Sequence, residues 1–145
     1  MDRIIQHKTI RVAQEWNSGK LDNRVCIIIY ALAGFVFNRF EKILTITEIW
    51  RSDAEQDAYY ANYPAYKQQP WKSTHQDWRA ADVRAMVFTA DELKAIDEFL
   101  NNNFFYNKEH KVCVVHDVGL GLHIHIQVDG DGVTEIKSRG VNPNA

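Results

Sequence analysis

Residues 25–37 run for thirteen positions without a charged side chain, and Asn38 and Arg39 close the run. A strand is usually about five or six residues long, so one strand cannot absorb it. A bilayer span needs about twenty apolar residues, so the run is too short to cross one. What remains is a helix with a core to pack into, and with its flanks it is predicted over about residues 22–41. A chain of 145 residues can supply that core, because at this size about two thirds of the unfolded surface becomes buried. With 46% hydrophobic and 25% charged residues, the composition excludes a disordered, collagenous or coiled-coil chain.

Around this helix the pattern changes period. Residues 4–16 have mixed helical periodicity and stop at Asn17, Ser18 and Gly19. Residues 43–50 are β-branched and read as a strand, and residues 52–61 as a short helix with Asp53 as its cap. The aromatic stretch 62–74 reads as a loop and residues 81–87 as a strand. Thr89 followed three residues later by Glu92 is a capping box, and Leu93, Ile96, Phe99 and Leu100 continue it at helical spacing. Residues 111–116 and 122–128 are apolar strands joined by a turn at 117–121. The expectation is α+β, a small antiparallel sheet packed against helices. No repeat or linker divides the chain, so residues 1–145 are expected to form a single domain. Its motif core lies at about 45–128, and a Gly/Asp/Asn-rich tail, 129–145, is expected to be flexible.

Chemistry concentrates in two segments. In Leu122-His123-Ile124-His125-Ile126-Gln127, residues two apart share a face, so both histidines point one way and both isoleucines the other. Imidazoles serve as metal ligands and as acid/base groups, and burying two without partners is costly. The second segment runs from Ser73 to Asp82 and sets His75 seven residues before Asp82. Taken alone the segment is a weak signal, His75 reading as a solvated loop residue and Asp82 as a turn cap. Two imidazoles and a carboxylate, His75, Asp82 and one of His123 or His125, make a catalytic zinc set with a fourth position for water.

A His, six residues, an Asp and a later His-x-His resemble the zinc peptidase group of lysostaphin-type enzymes, D-Ala-D-Ala metallopeptidases and hedgehog domains. Within it the chain is most similar to the D-Ala-D-Ala carboxypeptidase and phage endolysin branch. An upstream strand ending in an Arg-Ser pair, here Arg51-Ser52, fits the same order. The resemblance implies His75, Asp82 and His125 as ligands of one zinc ion, with His123 as their catalytic neighbour. It also implies that Arg51 is a catalytic and substrate-binding residue that meets a carboxylate or carbonyl. A surface ion pair of Arg51 with Glu48 or Asp53 is the alternative reading. The activity implied is hydrolysis of peptide bonds next to D-amino acids in peptidoglycan stem peptides, as in a phage or prophage lysis protein. Many members carry an acidic residue three positions before the last ligand; here that position is Leu122. The base then falls to His123, with His116 and Asp117 in reserve. Tyr59, Tyr60, Tyr63, Tyr66, Trp71 and Trp78 crowd the approach to the motif, as loop packing or as a groove wall.

Two other readings stay open. A non-catalytic zinc-binding virion or structural module would bind the metal without hydrolysis. A His-hydrophobe-His DNA nickase needs a tyrosine nucleophile, and none follows His125. A formal charge of −2 also disfavours nucleic acid as the partner. Cys26 and Cys113 sit in apolar runs and read as reduced core thiols, a bridge staying open. The N-terminus shows no signal peptide, so synthesis in the cytoplasm and action on the wall after release, or from a virion, are expected. No membrane insertion is expected.

Overall fold

The alternation in 122–127 needs a sheet with one wet and one dry face, and the chain builds it from segments far apart in sequence. The computed structural model describes residues 3–64, 72–117, 121–130 and 135–136. Its elements are β1 (Ile5–His7), α1 (Ile10–Asn17), α2 (Asn23–Phe40), β2 (Leu44–Glu48) and α3 (Asp53–Tyr59). A 3-10 helix (Thr74–Asp77), β3 (Ala80–Arg84) and α4 (Ala90–Asn103) follow. The chain continues through β4 (Phe104–Phe105), β5 (Cys113–Asp117), β6 (Leu122–Gln127) and β7 (Glu135–Ile136).

The main sheet has the order β1-β2-β3-β6-β5. Its pairs β2–β3, β3–β6 and β5–β6 are antiparallel, while the edge strand β1 joins β2 in parallel, so the α+β fold carries a mixed sheet. In β3–β6, Asp82 lies opposite His125 and Arg84 opposite His123; in β5–β6, His116 lies opposite His123.

One face of the sheet is dry. From it Leu44, Ile46, Ala81, Val83, Cys113, Ile124 and Ile126 enter the core. Against them α2 presents Val25, Ile28, Ile29, Leu32, Ala33 and Val36, an i, i+3, i+4 stripe. Helix α4 adds Ile96 and Leu100, and Phe99 stacks on Phe35 of α2 at 4.2 Å between centroids. The long apolar run is therefore a helix that buries one face, while Ile27, Tyr30 and Phe37 remain exposed on the other.

Three local readings change. Residues 4–16 are a strand followed by a helix, because Thr9 is extended and its side chain accepts the Val12 N–H, starting α1 afresh. Ser52, not Asp53, caps α3: its hydroxyl accepts the Glu55 N–H in a capping box. Strand β3 ends at Arg84, where the Phe88 N–H turns back to the Ala85 carbonyl at 3.0 Å. Both cysteines are free thiols, and burial pushes Cys113 up to about 12. Of the tail, residues 135–136 pair with Phe104 and Phe105. The expectation of flexibility over 131–134 and 137–145 lies outside the described residues, as do Tyr66 and Trp71.

Candidate metal centre

The wet face of the sheet gathers the polar residues. Asp82 projects from the middle of β3 and His125 from the opposing position of β6. His75 comes from the 3-10 helix, which Ser73 caps through a second capping box with Gln76. That helix is tied to the end of β2: the Arg51 N–H donates to the His75 carbonyl at 3.3 Å, and His75 Nδ1 donates to the Ile49 carbonyl at 2.7 Å. Trp78 closes the helix at φ 58°, an uncommon conformation for a bulky residue, and stacks on Trp50 with centroids 5.6 Å apart. Its ring packs against the hydrophobic core.

Asp82 Oδ1 lies 3.1 Å from His75 Nε2 and 2.9 Å from His125 Nδ1. The three donor atoms all fall within 4.8 Å of one another. A tetrahedral ion with bonds of about 2.0–2.1 Å holds its ligand atoms roughly 3.3 Å apart, so the set needs only a slight opening to hold one. The outer nitrogens are oriented for it. The Ile49 carbonyl fixes the Nδ1–H tautomer of His75, and His125 Nε2 faces Gln127 Oε1 at 3.1 Å and Thr74 Oγ1 at 3.3 Å. His75, Asp82 and His125 thus form a cluster that can bind a metal ion.

Charge sustains the cluster. Burial alone would lower the His75 pKa, but the adjacent Asp82 carboxylate outweighs it and raises the value. Burial would raise Asp82, yet His75 and His125 hold it well below the usual carboxylate range. A cation at this place substitutes for the protons that the imidazoles share with Asp82.

His123 stands beside the cluster. Its Nδ1–H donates to the Gly121 carbonyl at 3.1 Å, which turns Nε2 toward Asp82 Oδ2, 3.7 Å away. His116 follows, its ring centroid 4.6 Å from that of His123. Burial, then the neighbouring imidazoles, lower its pKa. Asp117 accepts the Gly121 N–H at 3.1 Å. Leu122 is half exposed at the mouth.

The cluster lies in the wall of a cavity of about 890 Å³, also lined by Glu48, Arg51, Tyr59, Tyr60, Arg84 and Tyr106. Arg51 forms the expected pair with Glu48, but it is buried at 7% exposure and not a surface group. Its Nε and Nη2 reach Glu48 Oε1 at 2.7 Å each, Nη1 reaches Gln56 Oε1 at 2.7 Å, and the Tyr59 ring covers Cζ at 4.3 Å. What sequence reasoning missed is that the Glu48 carboxylate, read as a surface partner of Arg51, lines the cavity instead. Ile46 lies opposite Val83 and Glu48 opposite Asp82, so one extra residue on β2 forms a bulge. The bulge carries Glu48 to the wet face, although Ile46, two residues earlier, is in the core. Gln127 had a legible signal, the same strand parity as His125.

No family model, no curated protein and no solved structure matches this chain.

Proposed function

We propose that the protein is a zinc-dependent peptidase acting on peptide bonds next to D-amino acids in bacterial peptidoglycan stem peptides. The observation that carries the reading is the convergence of His75 Nε2, Asp82 Oδ1 and His125 Nδ1 at the wall of a peptide-sized cavity. The order of the motifs along the chain supports the substrate class by resemblance, and a lysis role in a phage or prophage follows from the same likeness. Two neutral imidazoles and one carboxylate suit zinc and leave a position open. Zinc held by these three residues would supply Lewis acidity, making a water acidic near neutrality and polarising an amide carbonyl.

The chain's own residues supply the rest. His75, Asp82 and His125 hold the ion, with Ile49, Gln127 and Thr74 keeping the two rings in register. His123 Nε2, left as the acceptor by the Gly121 bond, takes the proton of the attacking water and returns it to the leaving amine. Arg51, anchored by Glu48 and Gln56, offers its remaining N–H groups to a substrate carbonyl and orients the peptide.

Elemental mass spectrometry of the purified protein is expected to find about one zinc per chain, as one three-ligand site demands. His125→Ala should lose it, and the parent should release peptides from purified sacculi. Full zinc retention in His125→Ala would refute the ligand assignment. Tight zinc without hydrolysis would leave the non-catalytic module standing instead.

A further inference from the structure

The cavity is more basic than the protein that contains it. The chain carries a formal charge of −2, yet Lys8, Arg51, Lys72, Arg79 and Arg84 line the cavity, with Glu48 and Asp82 as its lining acids. Two of those cations are engaged. Arg51 is neutralised by Glu48, while Arg79 reaches Asp77 at 3.1 Å and the Val128 carbonyl at 2.7 Å. Asp82 is turned onto the histidines. None of the ion pairs among the described residues involves Lys8, Lys72 or Arg84.

These three line the cavity from separate segments. Arg84 ends β3 opposite His123. Lys8 follows β1, its N–H bonded to the Ile46 carbonyl at 2.9 Å. Lys72 precedes Ser73, the cap of the helix that carries His75. Cations spread around a cleft focus their field into it and raise the local concentration of anions.

We infer that Lys8, Lys72 and Arg84 form a carboxylate-binding rim, and that the ligand of this cavity is an anionic peptide. The inference rests on the peptidase reading for the peptide and adds which residues select its charge. Arg51, already paired, meets a neutral carbonyl. The carboxylate met by the rim belongs either to the C-terminus of the peptide or to one of its side chains.

Equilibrium binding to the zinc-free full chain tests this without requiring hydrolysis. The probe is a dye-labelled tetrapeptide ending in D-alanine with one side-chain carboxylate, followed by fluorescence anisotropy at low salt. Amidating the carboxylate that the rim reads should weaken binding about tenfold, the order expected of a few exposed ion pairs. The arm that loses affinity, C-terminal amide or side-chain amide, identifies the source. Combined Lys8→Gln, Lys72→Gln and Arg84→Gln should cost the charged peptide about tenfold and the doubly amidated peptide nothing. Lys8→Arg, Lys72→Arg and Arg84→Lys together should restore binding, which separates charge from folding. Added salt should weaken only the charged peptide.

Equal affinity for the charged and doubly amidated peptides would overturn the inference, as would parent-like binding by the glutamine variant. Failure of the charged peptide to bind, or tighter binding of a single-stranded oligonucleotide, would overturn it too. Loss of the zinc reading would appear separately, as a chain that takes up no zinc in elemental mass spectrometry yet still binds the charged peptide.

Discussion

Along β6, Ile124 and Ile126 have no exposure and pack into the core, whereas His123 and His125, their immediate neighbours, face the cavity. One backbone serves both faces, and the pleat alone assigns each residue to its side. The faces answer to different rules. The dry face requires volume, since a close-packed interior penalises any void. The wet face requires partners, since each buried polar atom must find a donor, an acceptor or an ion. Asp82 meets that requirement with two imidazoles at once, and the same arrangement makes the cluster able to hold a metal.

Substitutions on the two faces should therefore separate stability from metal binding. The largest effect is expected from Ile124→Ala on the dry face, about 2–5 kcal/mol of unfolding free energy lost, read by denaturant titration. If the folded fraction is retained, its zinc affinity should be unchanged. Gln127→Ala, three residues along the same strand, should do the reverse. Removing the acceptor at 3.1 Å from His125 Nε2 should weaken zinc about tenfold, read by competition with a chelator, with little change in the denaturation midpoint. Coincident losses of stability and zinc in both variants would break the comparison.

The smallest effect lies away from both faces. Arg11 holds the Glu55 carboxyl down to about 2, below its ordinary 4.5. A depressed carboxyl contributes stability that is complete above its unfolded value and is lost as pH falls through the folded one. Glu55→Gln should therefore be less stable than the parent above pH 4.5, by under about 1 kcal/mol for so exposed a pair, and the two should converge near pH 2. Thermal melts across that window would show it. A difference that persists unchanged at pH 2 would assign the effect to the α3 cap.

Much of the architecture was legible because it is encoded over short distances. The capping box at Thr89 and Glu92 starts α4 where the spacing placed it, and the run through residue 37 lies within α2. The strand parity that set His123 and His125 against Ile124 and Ile126 holds in β6. The region before residue 17 was less legible. Three residues of β1 are too few to show a period, and their strand state depends on pairing with β2, almost forty positions away. Reading the helix through them followed local propensity where a tertiary partner overrides it.

By itself, the sequence determined which side chains share a face and where α2 and α4 begin, and it offered His75, Asp82 and one of His123 or His125 as candidate ligands. These follow from backbone periods and from hydrogen bonds within a few residues. Only the tertiary structure decided that His75, Asp82 and His125 meet within 4.8 Å, that Ile49 and Gln127 aim their rings, and that a bulge turns Glu48 onto buried Arg51. Those outcomes depend on the register between strands and the path of the loops joining them. Register is set by the packing of the whole dry face, and no short stretch of sequence contains that information.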